Sequence, residues 1–342
     1  MQLKMVAKQT MVNPDVPIQA LVPLEWDRHR LQRFARVLPC MLYEYVMAPN
    51  GRRELLFVGS NCQELLELEE KDFLADATLF AALVLEEDLQ RLIAEDVAAN
   101  LEGVAFTSEV RIQTSSGRRK WVQLSSRPNP PTDSGIVVWS GFMLDFTERK
   151  LVEEQVRQLA LFDPLTNLPN RRLLNDRLLQ AMSASDRSGA QGALMVLDLD
   201  NFKIINDKYG HLAGDELLIE AAARLKRSVR AMDTVGRFGG DEFVVMLSEL
   251  SLDAADSMQQ ASAVAEKIRS ALAEPFLLQV TETGQALGTV QHRCGASIGA
   301  ILFSGLAVDQ DSLIKGADAA MYRAKAAGRN QVRFCAASNG SG

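Results

Sequence analysis

Residues 31–147 alternate between short strand-like runs and helical stretches. Five runs have the apolar or alternating pattern of strands: 41–46, 54–58, 105–113, 119–127 and 135–145. The pair Asn50-Gly51 is typical of a hairpin turn between the first two runs. Helical stretches are predicted at 63–68 and 86–100. A strand pair, short helices and a three-strand meander predict a small α+β domain, which follows an N-terminal extension of residues 1–30.

Residues 162–336 have longer elements and predict a second domain, which is followed by a tail of residues 337–342. Strands are predicted at 192–199, 234–238, 243–247 and 294–303. Helices are predicted at 213–230, 254–272 and 310–327. Helices that cover one mostly antiparallel sheet define the α+β class. Residues 279–292 are longer and more polar than a tight hairpin requires, and their pattern predicts no role.

A charged helical segment, residues 148–161, is predicted to join the two domains. Thr147 is placed to cap its N-terminus. Val152, Val156 and Leu159 have the 4,3 spacing of a coiled-coil seam. Two heptads are too short to establish a coiled coil, so the segment is interpreted either as a dimerising helix or as an amphipathic helix packed on its own domain.

Composition and charge narrow the classes of function. The chain has 342 residues and a formal net charge of −7, which argues against a nucleic-acid-binding face because such a face is basic. Its four cysteines are far apart and form no CxxC pair, so neither a disulfide framework nor a zinc site is indicated. No apolar run approaches the roughly 18 residues of a membrane span, and we expect a soluble cytoplasmic protein.

The strongest candidate for chemistry is the run Arg237-Phe-Gly-Gly-Asp-Glu-Phe243. Its strand-like flanks predict a hairpin, and Gly239-Gly240 at the tip lets a ligand approach closely because neither residue has a Cβ atom. The next two residues, Asp241 and Glu242, can hold a divalent cation beside phosphates. An ordinary hairpin with two solvated acids is the alternative.

Another acid, Asp198, follows the apolar run 194–197 and is held rigidly if that strand is buried. The Leu199 carbonyl and Asp241 supply two more oxygen ligands if the two strand ends are neighbours. Two carboxylates and one carbonyl suit Mg²⁺ or Mn²⁺, which prefer oxygen ligands. The alternative role of Asp198 is to cap a turn.

The run Asp163-Pro-Leu-Thr-Asn-Leu-Pro-Asn-Arg171 resembles the opening signature of the GGDEF family, the diguanylate cyclases. Further blocks follow in the family's order: 198–203, 206–215, 237–243, 296–299 and 318–330. The resemblance implies a cyclase-palm-like domain that condenses two GTP molecules into cyclic di-GMP and releases two pyrophosphates.

The resemblance also implies roles for individual residues. The implied metal ligands are Asp198, the Leu199 carbonyl and Asp241. The implied catalytic residues are Asp241, Glu242 and Lys203. The implied guanine-binding residues are Asn206 and Asp215. The implied phosphate-binding residues are Phe202, Lys203, Gly239, Gly240, Lys325 and Arg329.

Two of these assignments have a physical reason that can be stated in advance. A carboxylate at Asp215 favours guanine, because adenine offers no matching pair of donors and would leave the acid unpaired. Lys325 and Arg329 are four residues apart and share a face if the last helix reaches both. Without the resemblance, these two would be interpreted as a solvated basic helix end.

Dimerisation and product control are implied in the same way. Each domain of this kind holds one GTP, so two domains must face each other and catalysis requires a homodimer. Arg230-Ala-Met-Asp233 matches the family's RxxD inhibitory site for cyclic di-GMP; a helix-end charge pair is the alternative. Lys267 stands where an arginine often completes that site, and weaker inhibition is expected because lysine lacks the planar fork of arginine.

The N-terminal pattern resembles a PAS sensor domain, most clearly in its terminal run Asp145-Phe-Thr-Glu-Arg-Lys150. The whole chain is then a PAS-like antiparallel-sheet domain joined by a helical linker to the cyclase domain. No haem is predicted, because His29 precedes the domain and the next histidine is His211. No flavin is predicted either, since Cys62 is not where the reactive cysteine of a light sensor would be. A non-catalytic receptor for GTP or cyclic di-GMP is the alternative to a PAS-regulated cyclase.

Overall fold

The computed structural model describes residues 37–47, 53–131, 136–282 and 285–335. The predicted N-terminal extension, the Asn50-Gly51 turn and the tail of residues 337–342 lie outside the described residues. The chain divides into two compact units, Met1–Glu153 and Glu154–Gly342.

Five strands form the sheet of the N-terminal unit: β1 (Met41–Met47), β2 (Arg53–Val58), β3 (Phe106–Gln113), β4 (Arg119–Pro128) and β5 (Val138–Asp145). The sheet is antiparallel and has the order β2-β1-β5-β4-β3. All five predicted strands are confirmed, with small differences at their ends. Alternate residues of β3 are buried, as expected of a sheet with one covered face.

Helices fill the segment between β2 and β3: α1 (Cys62–Leu66), α2 (Glu70–Ala75), α3 (Thr78–Leu83) and α4 (Glu86–Glu102). The sequence predicts α1 and α4. It does not predict α2 and α3, because six residues are too few for a helical period to be visible. The helices and one face of the sheet share a core that includes Phe73, Phe80 and Val110.

The strands of the C-terminal unit are β6 (Gly192–Leu199), β7 (Thr234–Gly239), β8 (Glu242–Leu247), β9 (Phe276–Glu282), β10 (Gln285–His292), β11 (Ala296–Phe303) and β12 (Val332–Phe334). The main sheet has the order β12-β11-β6-β8-β7, and only the pair of β11 and β12 is parallel. This mostly antiparallel sheet confirms the predicted mixture of helix and sheet.

The remaining helices are α5 (Thr147–Leu161), α6 (Arg171–Ser188), α7 (Phe202–Tyr209), α8 (His211–Ser228), α9 (Ala254–Ala273) and α10 (Gln310–Ala326). The sequence predicts neither α6 nor α7. The condition for Lys325 and Arg329 to share one helical face is not met, because α10 ends at Ala326. Gly328 with φ 111° and Arg329 with φ 65° turn the chain away from the helix.

Helices cover both faces of β6, which explains why its sequence is apolar from Gly192 to Leu197. Leu197 belongs to a core cluster with residues of α8 and α9. Leu194 and Val196 belong to a second cluster with residues of α6 and α10. Because side chains alternate along a strand, Asp198 lies on the same face as Val196, the face covered by α10.

The predicted linker is part of α5, none of whose residues is buried. Leu151, Val152, Val156 and Leu159 are each more than half exposed. Asp145 accepts hydrogen bonds from the N–H and the hydroxyl of Thr147, at 3.0 and 2.6 Å. Across the described residues, no helix is both long enough and apolar enough to cross a membrane.

Residues 279–292 contribute to a separate two-stranded sheet, β9 with β10. Phe276 and Leu278 of β9 belong to the same core cluster as Leu217 of α8. The Gln279 N–H donates to Glu216 Oε2 at 2.6 Å. The hairpin is therefore attached to α8 by apolar packing and by a hydrogen bond.

Candidate active site

The predicted acids meet at one end of the main sheet. Asp198 is the last residue but one of β6, is 8% exposed, and pairs in register with Glu242, the first residue of β8. Asp241 lies in the turn before β8, and its carbonyl accepts a hydrogen bond from the Leu199 N–H at 3.3 Å. The two strand ends are therefore neighbours, as the sequence predicts.

Lys325 reaches these acids from α10. Its Nζ lies 2.7 Å from Asp198 Oδ2. The helix can approach the sheet this closely because Gly299 of β11 has no side chain: a Cβ atom there would lie 2.0 Å from the Ala317 carbonyl oxygen and 2.1 Å from the Met321 nitrogen. The interpretation as a solvated helix end therefore does not apply to Lys325.

Negative charge exceeds positive charge at this end of the sheet. Burial raises the pKa of Asp198 above its ordinary value; Lys325 opposes that shift, and the charges of Asp241 and Glu242 add to it. The described residues contain no group of three or more His, Cys, Asp or Glu side chains arranged to hold a metal ion. The predicted set instead takes its third ligand from the Leu199 carbonyl. One buried acid with a repelling carboxylate beside it and a main-chain oxygen fit a hard cation such as Mg²⁺ or Mn²⁺.

The hairpin tip that carries Asp241 is held from outside the hairpin. Gly239 and Gly240 have φ 140° and 53°, which favour glycine. Arg237 donates from Nε and NH2 to the Gly240 carbonyl, at 3.0 and 2.6 Å. Its NH1 donates to both carboxylate oxygens of Asp163, at 2.9 and 3.0 Å. One guanidinium thus ties the tip to the segment that opens the domain.

Asp163 is fixed in turn by hydrogen bonds from Thr166 and Arg237. Burial raises its pKa, but hydrogen bonds from Thr166 and Arg237 outweigh burial, and the net pKa lies below the ordinary range. The Thr166 hydroxyl and N–H both donate to Asp163 Oδ1, at 2.6 and 2.8 Å. Sequence reasoning used these residues as family signatures and gave them no structural role.

The two predicted guanine-binding residues lie on consecutive helices, Asn206 on α7 and Asp215 on α8. Asn206 Oδ1 is buried and has no hydrogen-bond partner among the described residues. Gly214 makes room for it, because a Cβ atom at 214 would lie 1.9 Å from that oxygen and 3.2 Å from Phe202 Cζ. Sequence reasoning missed Gly214, although its place directly before Asp215 is a signal. A buried acceptor without a partner points to a ligand that donates hydrogen bonds.

The other predicted phosphate contacts are less fixed than Lys325. Lys203 is exposed on α7, and Arg329 is exposed on the loop after α10. Neither side chain forms a hydrogen bond or ion pair within the described ranges. Phe202 is half-buried and packs against the core cluster of α8 and α9.

The predicted inhibitory residues lie at the other end of α8. Arg230 is exposed, and its main-chain N–H donates to Asp233 Oδ2 at 3.0 Å. The Ser248 N–H donates to the other oxygen of Asp233 at 3.3 Å. Lys267 Nζ donates to the Ser228 carbonyl at 3.0 Å, which brings Lys267 close to the Arg230 turn.

A mixed α+β domain with acids at two central strand ends, a lysine among them and a glycine hairpin beside them has the features of a nucleotidyl-transferring site. The family model "Diguanylate cyclase, GGDEF domain" matches residues 160–331, half of the chain. The chain therefore belongs to the GGDEF family.

Relatives with assigned names align with the same region. The chain is 44% identical over 177 residues to the bifunctional diguanylate cyclase/cyclic di-GMP phosphodiesterase MucR of Pseudomonas aeruginosa, covering 52% of this chain and 24% of the relative. It is 42% identical over 180 residues to the diguanylate cyclase DgcP of the same species, covering 52% and 24%. It is 34% identical over 239 residues to the cyclic di-GMP phosphodiesterase PdeR of Escherichia coli, covering 68% and 32%. The chain thus spans about a quarter to a third of the length of these relatives.

Solved structures also match. One comprises the coiled coil and GGDEF domain of DgcB from Caulobacter crescentus in complex with c-di-GMP. It is 30% identical, with a TM-score of 0.46, and the match covers 55% of this chain and 92% of that one.

Proposed function

We propose that the chain is a diguanylate cyclase, which condenses two GTP molecules into cyclic di-GMP and two pyrophosphates. The observation that carries this proposal is the buried Asp198, which lies beside Asp241 and Glu242 and is paired with Lys325 at 2.7 Å. Acids that hold a cation and a lysine that binds phosphate are what phosphoryl transfer needs, because that chemistry depends on positioning and on charge stabilisation. The names of the relatives MucR and DgcP support the same activity.

In the proposed reaction, the 3′-oxygen of one GTP attacks the α-phosphorus of the other in line with the leaving pyrophosphate. A P–O bond to the 3′-oxygen forms, and the P–O bond to pyrophosphate breaks. Mg²⁺ or Mn²⁺ held by Asp198, Asp241 and the Leu199 carbonyl would supply charge stabilisation at the phosphates. Asp241 accepts the proton of the hydroxyl, while Glu242 adds negative charge nearby. Two such condensations, with the roles exchanged, close the ring.

Guanine recognition is proposed for Asn206 and Asp215. The unpartnered Asn206 oxygen can accept from the guanine amino group, and Asp215 can accept from the N1–H and amino group together. Adenine lacks this pair of donors, so it would leave buried acceptors without partners. Lys203, Lys325 and Arg329 are the proposed contacts of the triphosphate, with Phe202, Gly239 and Gly240 lining its path.

We propose a homodimer, because a single domain holds one GTP and the reaction joins two. The exposed apolar residues of α5 support the dimerising interpretation of this helix. Val156→Glu should therefore shift sedimentation toward the monomer and lower cyclase activity per chain at low protein concentration. Gln155→Glu, which adds the same single charge at an exposed position of the same helix outside the 152/156/159 seam, is the matched control. A dimer of unchanged stability in Val156→Glu would contradict this use of α5.

The N-terminal unit is proposed to be a PAS-like sensor. A strand pair, helices and a meander in one antiparallel sheet are the arrangement on which that resemblance rests. The unit contains a cavity of about 410 Å³, lined mostly by apolar side chains such as Phe80, Leu92 and Phe106. Ser126 also lines it, and its buried hydroxyl has no hydrogen-bond partner among the described residues. A small apolar molecule with one polar group is the signal that this cavity would suit.

Product inhibition is proposed at Arg230 and Asp233. Both line a pocket of about 510 Å³ together with two further basic residues, Arg177 and Lys226. Cyclic di-GMP carries two phosphates, which these cations can neutralise. Lys267, already bonded to the Ser228 carbonyl, is a weaker substitute for an arginine here.

Product analysis tests the proposal. Purified protein is incubated with GTP and Mg²⁺, and nucleotides are separated and identified by mass. The wild-type chain should form cyclic di-GMP, Asp241→Ala should form none, and Arg230→Ala should accumulate more than wild type. Circular dichroism of Asp241→Ala confirms an intact fold. A folded dimer that binds GTP yet forms no product would favour a receptor, or a cyclase that awaits the signal of the N-terminal unit.

A further inference from the structure

Asp200 is a buried acid that the proposed reaction leaves without a role. It follows Asp198 by two residues and is 6% exposed. Its Oδ1 accepts from the Ser297 hydroxyl at 2.7 Å, and its Oδ2 accepts from the Asn330 N–H at 2.9 Å. Within the described ranges it forms no ion pair with a basic side chain. Burying a carboxylate that is bonded only to neutral donors costs folding free energy, which indicates that Asp200 has a role beyond stability.

The segment that Asp200 holds is the loop that carries Arg329. Arg329 and Asn330 have φ 65° and 42°, in the left-handed region that disfavours an arginine. The Arg329 N–H donates to the Ala324 carbonyl at 3.1 Å, so the loop closes back on α10. Gly295 leaves room for Asn330, because a Cβ atom at 295 would lie 2.9 Å from the Asn330 Cβ. The bond from Asn330 to Asp200 fixes this loop to the end of β6.

We propose that Asp200 is a positioning residue that fixes Arg329 relative to Asp198 and thereby sets the affinity for the nucleotide triphosphate. Asp198 near the end of β6 and Asp200 in the turn that follows are two residues apart, so the same stretch of backbone places the metal-binding acid and anchors the phosphate-binding loop. Ser297 orients the Asp200 carboxylate, since both are buried and their atoms lie 2.7 Å apart. This inference rests on the proposed function, because it needs GTP as the ligand of Arg329.

The geometry separates this role from direct metal binding. Both carboxylate oxygens of Asp200 already accept hydrogen bonds from protein groups on two different segments. Asparagine can keep both bonds. Its Oδ1 accepts from the Asn330 N–H, and its Nδ2 donates to the Ser297 hydroxyl, which then accepts a hydrogen bond where in the wild type it donates one. A positioning role therefore survives Asp200→Asn, whereas a metal ligand would not.

Binding without turnover tests the proposal. The probes are GMP and a GTP analogue with a methylene group in place of the α,β-bridging oxygen, both titrated by calorimetry against the full chain in Mg²⁺. Asp200→Ala should weaken binding of the analogue about tenfold, the loss of one charge-assisted hydrogen bond, and change GMP binding less than about twofold. Asp200→Asn should stay near wild type. Ser297→Ala, which keeps Asp200, should weaken only the analogue, by about threefold.

A double-mutant cycle completes the design. In the Arg329→Ala background, Asp200→Ala should add almost nothing to the loss of analogue binding, because it acts through Arg329. Asp311→Ala, an exposed acid at the far end of α10, is the control and should bind both probes as wild type does. Equal losses for GMP and the analogue, additive losses with Arg329→Ala, or an Asp200→Asn as weak as Asp200→Ala would each overturn the proposal. If the wild-type chain binds no analogue at all, the proposed function fails first and this inference fails with it.

Discussion

Gly214→Ala should weaken GTP binding while leaving the fold as stable as before. A new Cβ atom would lie 1.9 Å from Asn206 Oδ1, which is the free end of a side chain that can rotate away. Alanine also favours a helix over glycine by about 1 kcal/mol, so the melting temperature should hold or rise. The displaced amide loses its hydrogen bonds to guanine, at a cost of about 2 kcal/mol. That cost is roughly a thirty-fold rise in Kd.

Calorimetric titration with the methylene analogue of GTP measures the effect. Gly316→Ala on α10 is the matched control: its Cβ atom would meet the flexible end of Ile301 at 2.9 Å, away from the guanine-binding residues. Gly316→Ala should gain the same helical preference and bind the analogue as wild type does. Unchanged binding by a folded Gly214→Ala protein would refute the role of Asn206 in reading guanine.

Three further outcomes follow from the same contacts. Arg237→Lys should lower the free energy of unfolding by about 2 kcal/mol in urea titration, since lysine cannot join Asp163 and the Gly240 carbonyl at once; an unchanged midpoint contradicts this. The pKa of Asp163 is lowered in the folded state, so its contribution to stability is present above the ordinary aspartate pKa of about 4 and is lost as pH falls. The urea midpoints of wild type and Asp163→Asn should therefore converge between pH 6 and pH 3. The pKa of Asp198 is raised, so its ionised form opposes folding at pH 7, and Asp198→Asn should abolish activity yet raise the melting temperature in metal-free buffer; a lower melting temperature would contradict the pKa argument.

Most strands of the two larger sheets were predictable because burial leaves a direct mark on sequence, whereas β9, β10 and β12 were not predicted. The run from Gly192 to Leu197 is apolar throughout, since helices cover both faces of β6. The meeting of Asp198 with Asp241 also followed, because each acid ends or precedes a strand. By contrast, α6 was missed, since its first turn Arg171-Arg172 and its many polar residues hide the buried positions Leu174, Leu178 and Met182.

Side-chain partnerships were less predictable, because they depend on packing between distant segments. Lys325 meets Asp198 only because Gly299 lets α10 lie close to the sheet. Arg329 would share a face with Lys325 only on a longer helix, and Gly328 turns the chain before it. The roles of Asn206 and Asp215 came from family resemblance alone, and no periodicity in the chain would have paired them.

The two halves of the candidate site differ in how they should open to solvent. Asp198 and Glu242 stand on the central strands β6 and β8, whose amide hydrogens exchange only when the whole domain unfolds. Asn206 stands on α7, a helix of eight residues whose N-cap, Asn201, makes no side-chain capping bond and which buries only Ile205. Such a helix frays on its own, with a free energy far below that of global unfolding. Gentle warming would therefore release Asn206 while Asp215 on α8 and the acids of the sheet are still in place, and the protein would hold guanine less tightly before it became inactive.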